Sequence, residues 1–413
     1  MPVGVVEKPV PVLFEAPSEC CGCGACAARC PAGAIDMVED EFGFRFPRIR
    51  GDACARCGLC RRVCGFQRRL AARTEGPWYA ACSRGGEPAS ASGGAFAVLA
   101  RAVLASGGVV YGAAYEVAAG GLRVRHRRVD CEAELPALQG SKYVQSDATA
   151  CYPQVERDLR AGVRVLFSGT PCQVAGLKGF LRRDYTGLLT VDLVCHGVPS
   201  EAMLRAYAKE LGRRYGANVS DARFRCKRDG WDASKVLQVR FVDNRVPGLL
   251  LPSDRSSYYD LFMNVKTLRE SCYSCPFAGP NRPGDLTIGD FWGVQVRRSD
   301  LLEENDGPFN LADGVSCLLA NSEAGREALS ELGCGLVLSP VEFEDIAAGN
   351  DQLRAPAKMP SDRRDYLDAF RTGGWPAVER LWRRRTLPGR IKRAISSHIP
   401  VSIKNAAKRF LKR

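Results

Sequence analysis

Residues 20–31 read CCGCGACAARCP, and residues 54–65 read CARCGLCRRVCG. In the first run Cys20, Cys23, Cys26 and Cys30 follow the spacing C-x2-C-x2-C-x3-C, and Pro31 comes next. Cys54, Cys57, Cys60 and Cys64 repeat that spacing, with Gly65 in place of the proline. One C-x2-C would suit zinc or a redox dithiol. Two full quartets at matched spacing do not, because zinc takes two pairs per site and has no use for the third cysteine. A disulfide framework belongs to short secreted chains rather than to a local motif in a long one. Three closely spaced thiolates grip one face of a cubane, and the fourth, three residues on, points to the neighbouring cluster. The spacing therefore predicts Cys20, Cys23, Cys26 and Cys64 on one 4Fe–4S cluster, and Cys54, Cys57, Cys60 and Cys30 on a second.

This is the pattern of bacterial two-cluster ferredoxins, and it predicts such a module over 20–66. The centre of the module, 34–49, alternates through Ile35, Met37, Phe42, Phe44 and Phe46, as short strands beneath the clusters would. Before it, 1–19 is an irregular lead-in with four prolines; after it, 67–77 reads as a linker ending in Gly76-Pro77. With 413 residues the chain has room for two or three domains. From Trp78 onward strands alternate with helices. Strands are expected at 78–82, 109–112, 163–167 and 188–194. A helix is expected through Phe96, Leu99, Val103 and Leu104, others at 173–181 and 201–215, the last capped by Ser200. Further strands follow at 236–242 and 285–293, and a strand–helix–strand unit at 315–347. The expected fold class is thus α+β followed by α/β: a ferredoxin-like module, then a mixed α/β domain over 78–345. A helical extension over 346–379 and a basic tail over 380–413 complete the chain.

The net charge of +13 is concentrated. Residues 380–413 carry twelve Lys or Arg and no acidic residue, which leaves 47 basic and 46 acidic side chains elsewhere. A neutral body argues against nucleic-acid binding. From Ser402, residues Ile403, Ala407, Phe410 and Leu411 share one helical face among Lys404, Lys408, Arg409, Lys412 and Arg413. That pattern fits a helix lying on an anionic membrane surface, or a solvated basic tail. No secretory signal and no run of about 18 apolar residues is evident. The expected location is cytoplasmic, with peripheral contact at the inner membrane surface through the tail. Nineteen cysteines in a reducing compartment point to metal rather than disulfides, and three histidines leave little for histidine-rich sites.

Eleven cysteines lie outside the two quartets. Cys172, Cys195, Cys272 and Cys275 fall in loops at element ends, and Cys272 and Cys275 form a further C-x2-C. Spacing alone leaves open a third cluster, or buried small thiols beside a loop dithiol. Cys21, Cys82, Cys131, Cys151, Cys226, Cys317 and Cys334 read as core or spare thiols. Ser92-Gly93-Gly94 and Ser168-Gly169-Thr170 each precede a helix, where backbone N–H groups can receive a phosphate or simply make a cap. Neither G-x-G-x-x-G nor a Walker lysine motif is present.

Six stretches occur in a fixed order over roughly 78–345. They are Ser92-Gly93-Gly94, Gly140-Ser141-Lys142-Tyr143-Val144-Gln145-Ser146, Gly169-Thr170-Pro171-Cys172-Gln173, Cys195-His196-Gly197, Cys272-x-x-Cys275-Pro276 and Ile288-Gly289-Asp290-Phe291-Trp292-Gly293. Together they resemble the coenzyme F420-reducing hydrogenase and dehydrogenase beta subunits. That family also includes 7-hydroxymethyl chlorophyll a reductase and the deazaflavin-oxidising part of some sulfite reductases. The N-terminal module resembles the fused forms of the family. The resemblance implies FAD, with Ser92, Gly93, Gly94, Lys142, Tyr143, Gln145, Ser146 and Thr170 as flavin contacts. It also implies a third 4Fe–4S cluster on Cys172, Cys195, Cys272 and Cys275. Arg225, Lys227 and Trp231 resemble a basic–aromatic loop that meets an acidic or planar substrate; an exposed hairpin is the alternative.

Clusters pass single electrons and hydride carriers exchange two, so a flavin between them is chemically coherent. The expected function is an FAD-dependent iron–sulfur oxidoreductase. It would pass electrons between a ferredoxin or other redox partner protein and a small-molecule hydride donor or acceptor. That molecule would be coenzyme F420 or another metabolite, since many bacterial relatives of this type sit near surface-polysaccharide genes. No residue is assigned as catalytic. The alternative is an electron-relay subunit with no substrate of its own.

Overall fold

The computed structural model describes residues 9–69, 72–73, 76–227, 230–231 and 235–398. The segment from Ser402 onward, with its membrane-surface reading, lies outside the described residues.

In the N-terminal module, Ile35–Glu39 pairs antiparallel with Arg45–Ile49. Two single-turn helices, Ala25–Ala28 and Leu59–Arg62, carry Cys26 and Cys60. Gly24 and Gly58 introduce these turns in the left-handed region, at φ 82° and 67°. The duplication in the sequence is thus repeated in the backbone.

The following residues build a mixed α/β layer. Its sheet runs Leu336–Pro340, Trp78–Ser83, Ser316–Ala320, Leu286–Asp290, Leu188–Leu193, Val165–Gly169, Val109–Ala118, Gly121–Val129. The strands starting at 109, 165, 188 and 286 are mutually parallel; the flanking ones are antiparallel. Val165–Gly169 is buried along its whole length, as a strand covered on both faces must be. Leu166 packs with Leu99 and Val103 of helix Ala95–Ala105 on one face. Val165 and Phe167 pack with Val155 and Leu177 of helices Cys151–Arg160 and Pro171–Leu181 on the other. The period-2 alternation of a strand divides the core between two helical layers.

Three elements differ from the sequence reading. The hairpin strand Gly121–Val129 was not expected, because five of its nine residues are Arg or His. Its inward positions, Leu122, Val124 and His126, are nevertheless buried. The expected linker contains Ala72–Arg73, which pairs with Asn281–Arg282. The helical extension begins only at Arg363 and continues to His398, with a break at Gly373 and Gly374. It is held by Trp375 Nε1 donating to Ser257 Oγ and Trp382 Nε1 donating to Asp260 Oδ2.

The module is built into the larger layer rather than tethered to it. Arg269, 1% exposed, donates to Cys20 O at 3.0 Å and Gln145 Oε1 at 3.1 Å, and Arg45 O accepts a third bond. Its guanidinium lies 4.4 Å from the Phe46 ring centroid. Ser200 Oγ donates to Phe42 O, and Arg45 pairs with Asp147. A Cβ at Gly176 would lie 2.9 Å from Cys23 Sγ, so only glycine admits the cysteine loop this close to helix Pro171–Leu181.

Candidate redox centres and cavity

A small cavity in the module is lined by Cys20, Cys21, Cys23, Cys26, Cys60 and Cys64. The predicted set Cys20, Cys23, Cys26 and Cys64 is among them, beside Cys21 of the first run and Cys60 of the second. Burial pushes the Cys20 thiol up to about 12, against the pull of Arg269. Such a thiol becomes a ligand when a metal displaces its proton. Cys60 lies close enough to Cys57 and Cys54 to feel both charges. Cys30 Sγ accepts from Ala34 N at 3.3 Å at the foot of the hairpin. Cys57 is exposed to solvent.

Cys172, Cys195, Cys272 and Cys275 also converge, and Cys195 lies beside the other three. Two strand ends and one loop bring them together. Cys195 follows Leu188–Leu193, and Cys172 is in the first turn of Pro171–Leu181. The loop carrying Cys272 and Cys275 is pinned by Arg282, whose side chain is 1% exposed and pairs at 2.6 Å with the fully buried Asp192. Arg282 also donates to Phe277 O and Leu193 O. Asp192 accepts in turn from Gly284 N and Thr287 Oγ1. This ion pair therefore fixes the loop after Cys275 to the strand before Cys195, with its hydrogen bonds satisfied as burial requires.

Cys21 is not a spare thiol. It lies in a core cluster against which Cys23, Cys64, Cys172 and Cys275 all pack. Its hydrogen bond is the largest cause lowering Cys172 to about 7, and Thr170 assists. The first cysteine group and the Cys172 group thus share one wall.

A cavity of about 640 Å³ opens at the C-terminal ends of the parallel strands, where ligands of open α/β sheets bind. That volume is in the range for a cofactor or small substrate. Of the expected flavin contacts, Ser92, Gly94, Lys142, Tyr143, Ser146 and Thr170 line it. Gly93 and Gln145 do not. A Cβ on Gly93 would meet Ala81 O at 2.5 Å and Gly314 O at 2.8 Å, so this glycine serves strand packing. Gln145 spends both ends of its amide on the seam, donating to Cys21 O and accepting from Arg269. Cys195 lines the cavity as well, so the later cysteine group and the cavity are contiguous.

The cavity wall is polar and fixed. Gln173 Nε2 donates to Ser146 Oγ at 3.0 Å. His126 Nε2 faces the Ser168 carbonyl, which can only accept, so Nδ1 accepts from Ser146 Oγ, each at 3.0 Å. Burial depresses His126 to about 4, and its ring stacks on Phe167, leaving a neutral spacer. Burial lowers Lys142 to about 7. Its ammonium donates to Ala137 O and Gln139 O, which leaves one of its three N–H groups for a ligand. Tyr143 stacks on Phe262 at 4.1 Å.

Of the basic–aromatic loop, Arg225 and Trp231 are buried. Arg225 is 5% exposed, lines the cavity and pairs with Asp290 at 3.0 Å. It lies over the Trp292 ring, which stacks on Trp231 at 4.8 Å. Lys227 is turned away to the carbonyls of Glu87, Ser92 and Asp313, holding the Ser92 loop. His126, Gln173, Asp290, Trp292 and Asn350 are cavity residues to which the sequence reading gave no role. For His126 the alternation in Gly121–Val129 was the available signal.

The comparison with curated proteins gave no match. Among solved structures, the fold is similar to a chain of the F420-reducing NiFe hydrogenase complex from Methanosarcina barkeri. The two are 17% identical with a TM-score of 0.45, over 72% of this chain and 90% of that one. Residues 162–340 match the family model for the C terminus of the beta subunit of coenzyme F420 hydrogenase/dehydrogenase. The match takes in Cys172, Cys195, Cys272 and Cys275 and the strands Val165–Gly169, Leu188–Leu193 and Leu286–Asp290. That segment is similar to the beta subunits of coenzyme F420 hydrogenase/dehydrogenase.

Proposed function

We propose that this protein is an iron–sulfur flavoprotein oxidoreductase. Electrons pass between a ferredoxin-type carrier and an organic hydride donor or acceptor, coenzyme F420 or another metabolite, with FAD held in the 640 Å³ cavity. The observation that carries this reading is Cys195, which belongs both to the later four-thiol group and to the cavity wall. A pure relay subunit would have no need of a substrate-sized cavity there.

The donor chemistry suits the cofactors. Four convergent cysteines match the ligand count of a 4Fe–4S cluster at Cys20, Cys23, Cys26 and Cys64, and again at Cys172, Cys195, Cys272 and Cys275. Cys30, Cys54, Cys57 and Cys60 are assigned to the third such centre. A flavin supplies exchange between two-electron and one-electron chemistry. For it the chain offers Ser92, Gly94 and Thr170 around two helix N-termini, and Lys142 as a cation for a negative charge. His126 stays neutral and orients Ser146. Arg225 and Trp292 give a cationic and planar face to a substrate.

Anaerobic purification followed by iron, sulfide and flavin analysis tests the reading. About twelve irons are expected for three 4Fe–4S clusters, with one flavin per chain and bleaching by F420H2 or NAD(P)H. Absence of flavin would overturn the central assignment. Reaction only with redox proteins would favour the relay.

A further inference from the structure

We propose that the arginine-rich face beside the exposed Cys57 is the docking surface for a small acidic electron-carrier protein. This rests on the reading of Cys54, Cys57, Cys60 and Cys30 as cluster ligands. Residues 51–69 hold five arginines and one acidic residue, Asp52, although the body of the chain is neutral. Arg61, Arg62, Arg68 and Arg69 are exposed. Among the described residues none of these four pairs with a carboxylate. Arg68 instead donates to Arg62 O, which keeps the two side by side. Elsewhere on this protein exposed arginines are commonly paired, as Arg213 is with Glu210 and Arg383 with Glu379.

The position explains the charge. Cys23 and Cys64 pack into the seam with the larger layer, whereas Cys57 faces solvent. Electron exchange with an external protein therefore has its shortest route at the Cys57 side. One electron leaves the carrier and enters the cysteine-bound centre, and no bond forms or breaks. An unpaired basic collar steers an acidic partner to that point and raises its encounter rate, an effect that salt suppresses. An anionic membrane would satisfy the charge but could not supply the electron.

The test uses the full-length, cluster-loaded protein and its Arg61→Glu/Arg62→Glu variant. A strongly acidic two-cluster ferredoxin serves as the protein donor, and reduced methyl viologen, a cation, as the small donor. The rate of reduction by the ferredoxin is expected to fall roughly tenfold or more at low salt, and the wild-type rate to fall with ionic strength. The viologen rate should hold or rise. An unchanged ferredoxin rate, a wild-type rate indifferent to salt, or equal losses with both donors would overturn the proposal. So would loss of anionic-vesicle binding in the variant with the ferredoxin rate intact, which would assign the collar to a membrane. If the variant loses iron, Arg68→Glu/Arg69→Glu, outside the cysteine loop, replaces it under the same criteria. A wild-type protein whose Cys57→Ser variant has unchanged iron would instead overturn the cluster reading beneath the proposal.

Discussion

Cys20, Cys23 and Cys26 lie within seven residues of one another, while Cys172, Cys195, Cys272 and Cys275 are spread over about a hundred. The first group owes its geometry to a turn, and its spacing alone suggests a ligand set. The second owes its geometry to a parallel sheet, to a helix N-terminus and to the buried Asp192–Arg282 pair. A local motif can survive a poor scaffold, whereas a dispersed one is only as well formed as the elements that bring it together.

Substitutions can break this contrast. The largest effect is expected for Cys272→Ser. Electron transfer between the module and the cavity should fall by more than the roughly 10–100-fold typical of losing an outer-shell partner. Iron should drop by about four per chain. Cys57→Ser should lose a similar amount of iron yet leave the cavity reducible by small organic donors. If the two variants behave alike, the groups are not in series. Next is Arg282→Met, which leaves Asp192 charged, buried and unpaired. A loss of about 3–5 kcal/mol is expected, measured by urea denaturation, with iron lost first from the dispersed group.

Lys142→Gln sharpens the cavity side. The depressed amine is charged below about pH 7 and neutral above it. An anionic ligand held by its free N–H should therefore bind more weakly as pH rises through that value. The variant should bind roughly tenfold more weakly at pH 6, the worth of a charge-assisted bond, and show no such slope. Lys142→Arg should stay charged and bind without the pH dependence. The smallest effect is at the seam. Ser200 Oγ accepts from Met203 N and donates to Phe42 O, so Ser200→Ala should cost about 1 kcal/mol, read as a fall in Tm with iron content unchanged.

Much of the fold could be read in advance because its strands are apolar and bounded by glycine or proline. Val165–Gly169 and Leu188–Leu193 are of that kind. Ser200 ahead of Glu201–Tyr215 is a cap whose side chain and spacing agree. The strand Gly121–Val129 was missed because its arginines hide an inward row of Leu122, Val124 and His126. At the site, residues whose backbone faces the cavity, such as Gly94 and Thr170, were found through their turns. Gln145 was misplaced because sequence order cannot tell which side of a strand-end loop faces a ligand. Asp290 and Trp292 received no role because each acts through a partner distant in sequence, Arg225 and Trp231.

Arg269 carries a consequence for how the protein is made. Its acceptors are two backbone carbonyls and a side-chain amide, and the Asp40 carboxylate lies within reach of its charge without bonding to it. A buried cation needs compensating negative charge, to which Asp40 contributes and cluster-bound thiolates would add. With iron in place, the seam between module and layer would gain negative charge around Arg269. Without iron, closing it buries Arg269 with Asp40 alone to offset the charge in part. Metal loading would thus act as a checkpoint on maturation, with the two parts closing firmly only after their clusters have been inserted.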